Sequence, residues 1–144
     1  VAESVTYITD AELLQLGLPG DALIAVDVAV RDEARKAASD RASAAFKKHH
    51  TLPITAWGAD VKRSVAHVAA YDLMVYRGFD PSSESGQLIV KRHDDAIQFF
   101  RDVARGILEP VDLVDSSADT DELSPLVSSD SVAGWSWPTT TEGT

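Results

Sequence analysis

Between residues 61 and 75 the chain reads "VKRSVAHVAAYDLMV", with Val61, Val65, Ala66, Val68, Ala69, Ala70, Leu73, Met74 and Val75 as its apolar members. Wound as a helix, these residues wrap most of the circumference. A helix apolar nearly all round is a central one, enclosed by other elements. The periodicity predicts it over about Ala59 to Tyr76, with Asp60 in the first turn, where the helix dipole favours an acid. The rest of the chain must supply what encloses it.

Three further segments carry helical periodicity. "TDAELLQLG" predicts a short first helix opened by a capping box, in which Thr9 accepts from the backbone three residues on and Glu12 reaches back. Gly17 is placed to end it, and "GLPGD" follows as a turn. From about Leu23 to Phe46, apolar residues recur at three- and four-residue steps. The opening "IAVDVAV" also fits strand alternation, but the Ala-rich second half favours helix. Such a helix would be about 36 Å long. Pro53 closes it. "RGFDPSSESG" reads as a loop. A last helix is predicted over about Leu88 to Arg105, with Ile89, Ala96, Ile97, Phe100, Val103 and Ala104 as its buried stripe and Gly106 and Pro110 as its stop. The expected fold is all-α, a small bundle of about four helices (one short, three long), with residues 1–110 as the helical domain.

Beyond residue 110 the periodicity vanishes. Residues 111–144 contain Asp112, Asp115, Asp119, Asp121, Glu122, Asp130 and Glu142 and no Lys or Arg, so they read as an acidic, extended C-terminal arm. This arm nonetheless holds Trp135 and Trp137, two of the chain's 3 tryptophans. In an extended chain, residues two apart face the same side, so both rings can enter one groove. Each buries on the order of 150–250 Å². At about 25 cal/mol per Å² that is an upper bound of roughly 4–6 kcal/mol apiece before ordering is counted. Docking on a neighbouring subunit or partner is the expected use. Folding back on the chain's own helices and remaining unordered are the alternatives.

The formal net charge of −10 opposes nucleic-acid binding as the main task, because gripping phosphates needs a concentrated basic face. Zero cysteines remove disulfides, thiolate metal sites and a Cys nucleophile. Neither a membrane span nor a secretory signal is expected. The four histidines have structural roles ready to hand. His49 and His50 complement the dipole at a helix end, His67 packs in the central helix, and His93 with Asp94 and Asp95 lacks the spacing that puts two metal ligands on one helix face. Asp72, on the apolar helix, could act as a general base. The structural reading is an ion pair with Arg63, Arg101 or Arg105. "DSSADTDE" (115–122) resembles a calcium loop in composition only, without its mid-loop glycine or its closing Glu. No nucleotide-binding or nucleophile motif occurs. Catalysis is not expected, and no cofactor or metal is implied.

Three stretches, "DRASAAFKKHHTLPI", "VKRSVAHVAAYDLMVYRG" and "RHDDAIQFFRDVARGILEP", resemble in order and spacing the Mu-type head-tail adaptor (head-completion or neck connector) proteins of tailed bacteriophages. The likeness covers about residues 7–110, and "SSDSVAGW" (128–135) is similar to the family's Ser-x-Asp-Ser-apolar-x-Gly-aromatic ending. The family's basic and aromatic residues just before that ending are missing here, and "SWPTTTEGT" lies outside the pattern. The resemblance implies a virion protein that forms a ring, commonly of twelve copies, beneath the portal protein. It joins the head to the neck and tail-terminator proteins, and double-stranded DNA passes through without sequence-specific binding. It also implies that the arm, through Asp130, Ser131, Val132, Gly134 and Trp135, reaches the portal or an adjacent subunit, and the two-residue spacing adds Trp137 to that expected contact. The rival readings are a cellular helical interaction module with an acidic partner-binding tail and a small helical enzyme built on Asp72 and a histidine.

Overall fold

The computed structural model describes residues 5–18 and 22–117. They form an all-α bundle of four helices, one short and three long, with two very short strands: α1 (Asp10–Leu16), α2 (Val28–Phe46), β1 (Ile54–Ala56), α3 (Ala59–Arg77), α4 (Glu84–Arg105) and β2 (Val114–Asp115). α3 is the central helix, packing against α1, α2 and α4. Val61, Val65, Ala66, Val68, Ala69, Ala70 and Leu73 are all buried. The wrap is less complete than the periodicity suggests, since Val75 is 54% exposed near the helix end.

α1 opens with the expected capping box: the Glu12 backbone N–H donates to Thr9 Oγ1 at 3.1 Å, and the Thr9 N–H donates to Glu12 Oε1 at 2.9 Å. Gly17 closes the helix in right-handed backbone, φ −70°. A side chain there would bring its Cβ within 2.7 Å of the Leu13 carbonyl oxygen and 3.1 Å of the Ala70 Cβ on α3. This glycine therefore serves close approach to α3 more than a left-handed turn. Arg31, buried in α2, ties the start of α1 to the body through Asp10 at 2.8 Å and through its Nε donating to the Val26 carbonyl at 3.2 Å.

α2 begins at Val28, not near Leu23, so its 19 residues span about 28 Å. Of the stretch that fits either helix or strand, residues 24–27 are neither, and Val28, Ala29 and Val30 are helical. Leu23 and Val26 are buried from within a turn, and Asp27 adopts φ −57° and ψ 141° just before the helix. α4 begins four residues earlier than expected, because Ser83 caps it by accepting from the Gly86 N–H at 3.0 Å. At its other end Gly106 is left-handed, φ 78°. A Cβ there would sit 3.2 Å from His49 Nε2, so the left-handed turn favours glycine and the imidazole leaves little room beside it.

The three long helices alternate in direction. The end of α3 meets the start of α2 through Arg77 Nη1 donating to the Ala22 carbonyl. The end of α2 meets the end of α4 where His49 Nε2 lies 3.1 Å from the Ala104 carbonyl. Between α2 and α3, the Leu52–Pro53 bond is cis. β1 then pairs antiparallel with β2, Ile54 opposite Asp115 and Ala56 opposite Val114. This pairing ties residues 111–117 to the helical body.

An aromatic centre joins these elements. Tyr7 is 1% exposed and meets Phe46 and Trp57 edge to face, with centroids 5.7 and 4.7 Å apart. Its hydroxyl lies 2.9 Å from Ser43 Oγ, and its backbone N–H donates to the fully buried Ser39 Oγ at 3.0 Å. Trp57 Nε1 donates to the Tyr7 carbonyl at 2.8 Å. The N-terminal segment is thus bound by directed bonds as well as by packing.

Candidate functional site

The residues expected to bind a partner, Asp130, Ser131, Val132, Gly134, Trp135 and Trp137, lie outside the described residues. The start of their segment is described. The Thr51 N–H donates to Asp115 Oδ2 at 2.7 Å, and the Ser116 N–H and hydroxyl both donate to the Thr51 carbonyl. Ser117 donates its hydroxyl to Asp115 Oδ1 at 2.6 Å. The Ser117 and Thr51 hydrogen bonds hold the Asp115 carboxyl below the usual carboxylate range. A few residues earlier, the Val111 N–H donates to Asp60 Oδ2 at 2.9 Å. Residues 115–117 are therefore held in place beside the end of α2.

Large apolar side chains are exposed at both ends of the bundle. Ile24 in the turn before α2, Val28 at its start, Val75 and Tyr76 at the end of α3 and Leu88 in α4 form one set, with Tyr76 69% exposed. Leu52, Ile107, Leu108, Val111 and Val114 form the other, with Ile107 at 70%.

Several of the histidines and acids make contacts within the bundle. His50 Nε2 is 2.9 Å from Glu109 Oε2, which joins the end of α2 to the chain after α4. His93 stacks on Tyr71, centroids 4.0 Å apart and planes at 25°. Lys91 pairs with Asp95 at 3.0 Å, one helical turn apart. Asp72 does not form the ion pair expected with Arg63, Arg101 or Arg105. It sits on the exposed side of α3, where local desolvation pushes its carboxyl up and His93 and Arg41 oppose the shift. Among the described residues, no group of three or more His, Asp or Glu is arranged to hold a metal. No described helix is long and apolar enough to cross a membrane.

A cleft that the sequence reading missed opens between three helices. It has a volume of about 440 Å³ and is lined by Gln15, Leu16 and Leu18 from the α1 end, Arg63 and His67 from α3, and Arg92 from α4. Neither arginine forms an ion pair with a described acid. His67 is half-buried, and burial, then the nearby Arg92 and Arg63 charges, push its pKa down against the opposing pull of Asp95. The one-turn spacing of Arg63 and His67 was visible in the sequence, but nothing local showed that Arg92 would join them.

The family model described as "Bacteriophage Mu, Gp36" matches residues 2–125, the whole described body and the beginning of the acidic arm. The chain belongs to the Bacteriophage Mu, Gp36 family. Membership makes it a phage protein of the structural and assembly kind. Among curated proteins and solved structures, none matches the chain. Within this Gp36-family chain, the described geometry offers two apolar ends, one basic cleft and one clasped arm origin.

Proposed function

We propose that the chain is a head-tail adaptor of a phage neck, a structural protein without catalytic activity. In this reading copies assemble into a ring between the portal and the neck or tail-terminator protein, and the ring surrounds the DNA during packaging, retention and ejection. The observation that carries it is the pair of exposed apolar ends on a closed helical body of a phage assembly family. A protein stacked between two others needs a sticky surface at each end, and a closed ring also needs two unlike lateral faces. The net charge of −10 suits a wall past which DNA slides, because like charge repels phosphate.

The test is genetic and structural. Phage lacking this chain should yield filled or emptying heads and separate tails, and complementation should restore joined particles that contain a ring of this protein at the neck. Joined, infectious particles at normal yield without the chain would refute the reading. Lys substitutions of acids that line the channel should slow ejection, and unchanged ejection from assembled particles would remove the sliding argument.

A further inference from the structure

The basic cleft is an anomaly in this chain. Residues 111–144 have no Lys or Arg, yet here two arginines from different helices converge on one opening with no described acid to neutralise them. The carboxylate nearest in effect, Asp95, is already engaged by Lys91 at 3.0 Å. A pair of converging guanidinium groups presents forked donors that suit carboxylate oxygens. Leu16 and the buried Leu18 add an apolar wall beside them. The opening thus offers cationic donors and apolar surface together.

The segment beyond Ser117 has the complementary character. Residues 118–144 contain Asp119, Asp121, Glu122, Asp130 and Glu142, and they contain Trp135 and Trp137. At most about 3.3–3.6 Å per residue, this length of chain is ample to cross from one small domain to the next. Its origin at Ser117 is fixed beside Thr51, and neither Thr51 nor any of residues 111–117 lines the cleft. A donor surface at one place and an acceptor surface at another is the arrangement that joins copies head to tail around a ring.

We infer that the Arg63–Arg92 cleft receives carboxylates of the acidic C-terminal segment of an adjacent copy, locking neighbouring subunits together. This rests on the self-assembly in the proposed function and specifies the contact that makes it. Arg63 and Arg92 are the anchoring groups, and Gln15 stands at the rim. Burial does most to make His67 less basic, and the Arg92 and Arg63 charges that add to it are the charges that attract the incoming acids.

The experiment uses full-length protein in which Gln15 is replaced by the photo-reactive residue p-benzoylphenylalanine. It is mixed with an equal amount of ¹⁵N-labelled full-length protein and illuminated, and the cross-linked peptides are identified by mass. The expected product joins position 15 of one isotopic copy to residues 118–144 of the other. Its yield should fall on the order of tenfold when the photo-reactive copy also carries Arg63→Gln and Arg92→Gln, and it should fall with added salt. Circular dichroism checks that the double variant is folded, and Arg92→Gln alone replaces it otherwise. Equal yield with and without the arginines overturns the inference, as do cross-links confined to one copy or formed with added duplex DNA. Failure of the adaptor reading shows separately, as normal particle joining in phage that lack the chain.

Discussion

Ser39 gives the most direct test of how the N-terminal segment is held. Its hydroxyl is fully buried inside α2 and accepts the Tyr7 backbone N–H at 3.0 Å. Ser39→Ala keeps the helix and nearly the same volume but leaves that N–H without a partner in a site where Tyr7 is 1% exposed. An orphaned buried donor costs about 1–3 kcal/mol, more than a solvent-exposed hydrogen bond contributes. For a domain of this size, about 3 °C of Tm accompanies each kcal/mol, so the loss should be roughly 3–9 °C. Tyr7→Phe removes only the partly buried hydroxyl contact with Ser43 at 2.9 Å, an effect of about 0.5–1.5 kcal/mol. The two changes act on one residue and should not add, which a double-mutant cycle followed by thermal denaturation will read. A Ser39→Ala protein melting within about 1 °C of the parent would show that Tyr7 is not held in this way, and the account of the aromatic centre would fall with it.

Gly17→Val should cost about 1–3 kcal/mol in a urea titration, since even the first carbon of the new side chain meets Ala70 at 3.1 Å. His67 should make stability depend on pH in acid. Its folded pKa lies below the ordinary 6.5, so the unfolded chain takes up the proton first, and stability is full above 6.5 and declines as the pH falls below it. His67→Gln should flatten that decline in melting curves taken from neutral to acidic pH, and an unaltered slope would refute the assignment. Deleting residues 128–144 should leave the helical circular-dichroism signal intact and abolish head-tail joining, and normal yields of infectious particles would contradict the role given to Trp135 and Trp137.

Local signals carried most of the helical architecture, and the misses share a cause. The Thr9–Glu12 capping box and the stop at Gly106 are short-range devices, and both stand as written in the sequence. The start of α2 was misplaced because Leu23 and Val26 are buried. Apolar spacing reports burial, and it continued smoothly through a turn that is not helical. The start of α4 was hidden by Gly86, which reads as loop until the Ser83 cap is seen to fold over it. β1 and β2 could not be read at all, since three residues and two acquire strand geometry only by meeting each other some sixty positions apart. The basic cleft is illegible for the same reason, because Arg92 joins Arg63 and His67 only through helix packing.

The clasp of Thr51 around Asp115 and Ser116 also bears on how such a chain can change over generations. Because the polypeptide is pinned to the bundle before residue 118, altered lettering further along leaves each of these bonds its donor and its acceptor. If the distal stretch docks as proposed, it can be retailored while the clasp that presents it keeps its own chemistry.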